Sequence, residues 1–119
     1  MRDFHELRVW SKAHQLVLAI YKTSASYPKS EAYGLTSQSR RAAASIASNI
    51  AEGCGKNTEP DFARFLCIAM GSASEVQDNL LLAHDLGFLS STVFQQLDTN
   101  VIEVKRMLAT LIKKLTADS

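Results

Sequence analysis

The run Gly53-Cys54-Gly55-Lys56-Asn57-Thr58 has the residue types of a phosphate loop, in which backbone N–H groups cradle a phosphate and a lysine reaches its oxygens. The spacing does not fit. Ile50 stands where the first glycine of that pattern is required, and Asn57, not Ser or Thr, follows Lys56. A helix end leading into Thr58 as the next N-cap explains the same residues. A carboxylate-bridged metal centre in a bundle takes Glu-x-x-His pairs on two helices. No His lies three residues after any Glu, and His5, His14 and His84 are scattered. Cys54 and Cys67 have neither a metal spacing nor a neighbouring base in sequence, so both read as inert thiols. No catalytic residue, metal or cofactor is expected, and the chain does not read as an enzyme.

Polar side chains at or near the apolar stripes carry a different message. Gln38, Ser45, Asn49 and Glu52 on one helix and Ser72 and Glu75 on the next read as a structural network that fixes register, because buried polar groups need partners. Cations form the other set. Arg8, Lys12 and Lys22 share a side of the first helix with Gln15, Arg40 and Arg41 lie on the second, and Lys56 follows it. These six are the expected phosphate contacts, with Arg41 the one placed to pair with Glu52 or Glu75 instead.

The elements that must position these groups are helices. In 119 residues only five are Gly and two Pro, 46% are hydrophobic and 21% charged, which fits one all-α domain over residues 1–119. No window approaches the roughly 18 consecutive apolar residues of a membrane span. The N-terminus has no apolar segment of a secretory signal, so a reduced, cytoplasmic setting is expected. Apolar residues recur at helical spacing over about 8–26, 32–52, 59–86 and 91–116. Thr58, Glu59-Pro60 and Asp61 form a near capping box, Gly53 and Gly55 read as a helix stop, and Gly87 reads as a C′ residue. Short connections between long helices predict an antiparallel, up-down four-helix bundle.

The second helix carries two stripes. Leu35, Ala42, Ile46 and Ile50 make the core stripe, while Ala44, Ala47 and Ala51 lie about 120–180° away at 100° per residue, with Arg40 in the same sector. A face normally filled by Lys or Glu is filled by alanine, which predicts burial against another subunit. Leu18 and Leu82 also stand off their stripes and join the expected interface. The formal charge of +1 hides a dipole: residues 1–57 hold eight cations and four acids (+4), and the remainder five and eight (−3).

Phe4-His5-Glu6-Leu7-Arg8-Val9-Trp10-Ser11-Lys12-Ala13 resembles the opening of the four-helix-bundle family of 23S rRNA intervening-sequence proteins. Tyr33-Gly34-Leu35-Thr36-Ser37-Gln38, Arg40-Arg41-Ala42-Ala43 and Ser45 through Gly53 resemble its central signature, and Asp61-Phe62, Arg64-Phe65-Leu66 and Gly71-Ser72-Ala73 its third-helix block. Met70 and Lys56 depart from it, each standing where many members carry Arg. The resemblance implies a bacterial cytoplasmic protein without established enzymatic activity. It also implies a ring-shaped homopentamer, as in the related accessory variability protein of diversity-generating retroelements, which binds nucleic acid and a reverse transcriptase. Together these readings predict an oligomeric scaffold that binds RNA or DNA through phosphates. The alternative is an adaptor ring that docks a polymerase or another protein without touching nucleic acid.

Overall fold

The computed structural model describes residues 2–117. A 3-10 turn over Phe4–Glu6 precedes α1 (Arg8–Ser24), and a second over Lys29–Glu31 precedes α2 (Leu35–Cys54), α3 (Glu59–Asp85) and α4 (Ser91–Thr116). Among the described residues there is no strand. The helices form an elongated bundle of 46 × 22 × 21 Å. α2 packs on α1 and α3, and α4 packs on the same two, so α1 and α3 lie across one diagonal and α2 and α4 across the other.

Local chemistry sets the helix ends. α1 stops at Ser24, before Pro28, and the following Ser26 hydroxyl donates to the Thr23 carbonyl at 2.9 Å. α2 starts at Leu35, three residues later than periodicity alone predicts. Lys29–Glu31 closes its own turn there, and Glu31 Oε1 accepts the Leu35 N–H at 3.1 Å. Thr58 Oγ1 caps α3 by accepting from the Asp61 N–H at 3.2 Å, with Pro60 in the first turn where no donor is needed. Ser90 Oγ caps α4 in the same way through Val93. α3 ends in a Schellman motif: Gly87 has φ of 81°, its N–H donates to His84 O at 2.9 Å, and the Phe88 N–H donates to Ala83 O at 2.8 Å.

Gly53 does not stop its helix. It sits inside α2, one residue from the end, and its role is space: a Cβ there would lie 2.9 Å from Phe65 Cβ and 3.0 Å from Phe62 Cδ1. The missing side chain lets α2 and α3 close over two buried phenylalanines. Phe62, Leu66, Ile46, Ile50, Leu16, Ile20, Leu80, Val101, Val104 and Leu108 fill the centre. Each fully buried aliphatic or aromatic side chain contributes about 1.5–3 kcal/mol relative to exposure. Tyr27, Leu35 and Ala83 form a smaller cluster with Phe88 and Leu89 near the α1–α2 and α3–α4 connections.

Candidate functional site

The six cations expected to grip phosphate separate into two groups. Arg40 turns inward: its Nε donates to Ser24 Oγ at 2.9 Å, its Nη2 to the Tyr21 carbonyl at 3.1 Å, and its guanidinium lies 4.8 Å from the Tyr21 ring centroid. It thereby satisfies a carbonyl in the last turn of α1, where a cation also complements the helix dipole. That makes it a clamp between α1 and α2, a role its spacing alone did not indicate. Lys12 pairs with Glu103 of α4 at 3.5 Å, and the Lys56 ammonium sits 5.0 Å from the Phe65 ring. Arg8, Lys22 and Arg41 are exposed and have no hydrogen bond or ion pair among the described residues.

The alanine stripe divides between the core and the surface. Arg40 shares its sector and binds α1 through Ser24 and the Tyr21 carbonyl. Ala47 is 8% exposed and belongs to the chain's own core, whereas Ala44 and Ala51 are half-buried. Leu18 and Leu82 do protrude, at 58% and 47% exposure, and α3 adds Leu81 and Leu86 near its C-terminal end. Leu18 and the pair Leu81–Leu82 thus lie on the two helices of one diagonal, α1 and α3.

The polar network is smaller than expected. Ser45 Oγ and Ser72 Oγ share a hydrogen bond at 2.9 Å, and Asn49 Nδ2 donates to both the Ser45 hydroxyl and its carbonyl, tying α2 to α3 at one level. Gln38, Glu52 and Glu75 lie on the open surface and join no network or ion pair among the described residues, so Arg41 pairs with neither acid. Once exposed, a carboxylate gains little from leaving water for such a partner. A second network escaped the sequence reading. Gln77 Nε2 donates to Asp98 Oδ1 at 3.2 Å and Lys105 Nζ donates to Gln77 Oε1 at 2.8 Å, which joins α3 to α4. Gln77 lies off the core stripe, so its spacing gave no signal.

One further cluster has the element types of a hydrolase. His84 contacts Ser91 Oγ through Nε2 at 3.1 Å and Asp85 Oδ1 through Nδ1 at 3.3 Å, with its ring stacked on Phe94. The Asp85 carboxylate is 64% exposed, so water screens its charge and does not hold the imidazole in one tautomer as a buried acid does. The arrangement reads as a tether across the α3–α4 turn. Of the thiols, Cys54 is buried and desolvation pushes its pKa up, while Cys67 is exposed. Among the described residues no three His, Cys, Asp or Glu side chains group as metal ligands, and no helix is long and apolar enough to cross a membrane.

With this geometry in place, comparison with known proteins gives a consistent picture. The family described as 23S rRNA-intervening sequence protein matches residues 5–110. A crystal structure of a protein of unknown function from the S23 ribosomal protein family of Bacteroides thetaiotaomicron superposes with a TM-score of 0.80. The identity is 23%, and the match covers 88% of this chain and 98% of that one, so the likeness bears on the fold. No curated protein matches the chain.

Proposed function

Because this chain belongs to the family of 23S rRNA-intervening sequence proteins, we propose that it is a non-enzymatic, oligomeric scaffold that binds RNA or DNA by its phosphates. The observation that carries this reading is the state of Arg8, Lys22 and Arg41, three cations held in solvent with no carboxylate paired to them among the described residues. Such contacts position a polyanion without reading its bases, so binding is sequence-tolerant and falls steeply with salt. A gel-shift titration with a structured RNA at rising salt tests it. Complexes that weaken with salt are the expected result, and affinity unchanged from low to high salt overturns the reading.

Contacts along the helices support an antiparallel, up-down order: Ser45 meets Ser72 while Gly53 meets Phe62, and Lys12 meets Glu103 while Arg40 of α2 meets Ser24. For assembly, the exposed leucines favour a contact between unlike faces, Leu18 of α1 on one copy against Leu81, Leu82 and Leu86 of α3 on the next. Unlike faces generate a ring when the rotation closes, in line with the pentamer that the family resemblance implies. Cytoplasmic residence belongs to the same reading. The exposed leucines of α3 also favour a second reading, an adaptor that docks a protein partner. A partner captured by pull-down with no RNA shifted in the gel would select it.

A further inference from the structure

We propose that the outer face of α4 is the principal track for the sugar–phosphate backbone of a nucleic acid, an inference that rests on the nucleic-acid reading above. The argument begins with the acids of α4. Asp98 accepts from Gln77 toward α3, and Glu103 pairs with Lys12 toward α1. Asp98 is therefore turned to one flank and engaged there, Glu103 has its charge offset by Lys12, and Lys105 is engaged by Gln77.

Glu103, paired with Lys12, is the one acid on the outer strip from Thr92 to Lys114. In the N-terminal half, Thr92, Gln95, Gln96, Thr99 and Asn100 line one shallow open concavity, all neutral hydrogen-bonding side chains of the kind that contact phosphate and sugar oxygens. In the C-terminal half, Arg106, Lys113 and Lys114 are exposed and unpaired among the described residues. At 100° per residue the strip from Thr92 to Lys114 spans roughly 140° of the helix circumference, with the Lys12-paired Glu103 inside it. Arg106 and Lys113 are seven residues apart, about 10.5 Å along the axis, which spans roughly three phosphates of one strand at 3.4 Å each. A polyanion matches this strip along its length, whereas an acidic peptide helix would also need an apolar stripe that the N-terminal half lacks.

The magnitude follows from counterion release. Three phosphate contacts give a slope of about −2.1 in log K against log salt on a single strand and about −2.7 on a duplex. The test titrates the full chain with a fluorescent polyuridylate of about 20 nucleotides, from about 50 to 200 mM salt, alongside two triple variants. Arg106→Gln with Lys113→Gln and Lys114→Gln should lower affinity tenfold or more at the lowest salt. It should also flatten the slope by about 2, with the helical circular dichroism retained. Arg8→Gln with Lys22→Gln and Arg41→Gln should cost less affinity and leave most of the slope. If only this second triple loses binding, the nucleic-acid reading stands and the α4 track is overturned. If the unaltered chain binds neither polyuridylate nor a structured RNA, both are overturned. Displacement of no RNA but capture of polyglutamate by the same strip would overturn it as well.

Discussion

Replacing Gly53 by alanine separates space from propensity in this fold. A glycine in a helix interior costs about 1 kcal/mol relative to alanine, so on propensity alone Gly53→Ala should stabilise the chain. The structure reverses the sign. The new Cβ would stand 2.9 Å from Phe65 Cβ, 3.0 Å from Phe62 Cδ1 and 3.3 Å from the Phe62 carbonyl oxygen. Ordinary contact begins at 3.4 Å, so Phe65 Cβ must retreat by about 0.5 Å, and it is fixed to the α3 backbone. Overpacking of this kind costs about 1–3 kcal/mol, which exceeds the propensity gain and leaves a net loss of roughly 1 kcal/mol. Gly71 is the control: it lies in α3 with nothing within 4 Å of its Cβ position, so Gly71→Ala should stabilise by about 1 kcal/mol. In urea, with a slope of about 1–3 kcal/mol per M, the two midpoints should move in opposite directions and differ by roughly 1 M. Protein concentration is held constant, since assembly would otherwise shift both. An equal rise in both midpoints would show that α2 and α3 are not closely packed at Gly53, and the reasoning would fail.

Two further outcomes follow from exposure. Leu18→Glu and Leu82→Glu should each reduce the mass seen by light scattering to that of the single chain while leaving helicity intact, because each places an unpaired charge on a proposed contact face. An unchanged mass for both would remove the leucines from the interface. Under native conditions one thiol per chain, that of Cys67, should react with a maleimide, and Cys54 should react only after denaturation; equal reactivity of the two would refute the burial of Cys54. Burial raises the Cys54 pKa, so its contribution to stability is present below the pKa of a free thiol, about 8.5, and is lost as pH rises through the higher folded value.

The parts legible in the sequence were those set within one helix. The α3 stripe of Phe62, Phe65, Leu66, Ala69, Ala73, Val76, Leu80 and Ala83 is buried throughout, and Thr58 and Gly87 perform the capping their types indicate. What spacing did not show lies where a neighbouring helix decides. A helical wheel gives the angle of Ala47 but not its burial, and it places Arg40 beside it without the Tyr21 carbonyl that holds it. Gly53 has the type of a stop residue, and only the nearness of two phenylalanines reveals its role as a spacer. Ser39 and Asn79 mark the same limit. Both are buried, and among the described residues Ser39 Oγ and Asn79 Nδ2 have no hydrogen-bond partner, a state that polarity and spacing do not encode.

Charge shows why faces rather than segments must be counted. Residues 58–119 carry a net charge of −3, which by itself directs any polyanion to the first half of the chain. Yet Glu75, Asp78 and Asp85 lie exposed on α3, while Asp98 and Glu103 are spent on Gln77 and Lys12. The acidic half therefore presents an exposed cationic strip on α4. In the basic half, Arg40 and Lys12 are consumed in holding α1 to its two neighbours, and Lys56 rests against Phe65. At a Debye length of about 8 Å in physiological salt, a phosphate beside Arg106, Lys113 and Lys114 senses those cations far more than Asp85, which sits by the α3–α4 turn at the other end of α4. The fold thus departs from the distribution that the linear charge count describes, through two side chains, Gln77, which holds Asp98 to the α3 flank, and Lys12, which offsets Glu103.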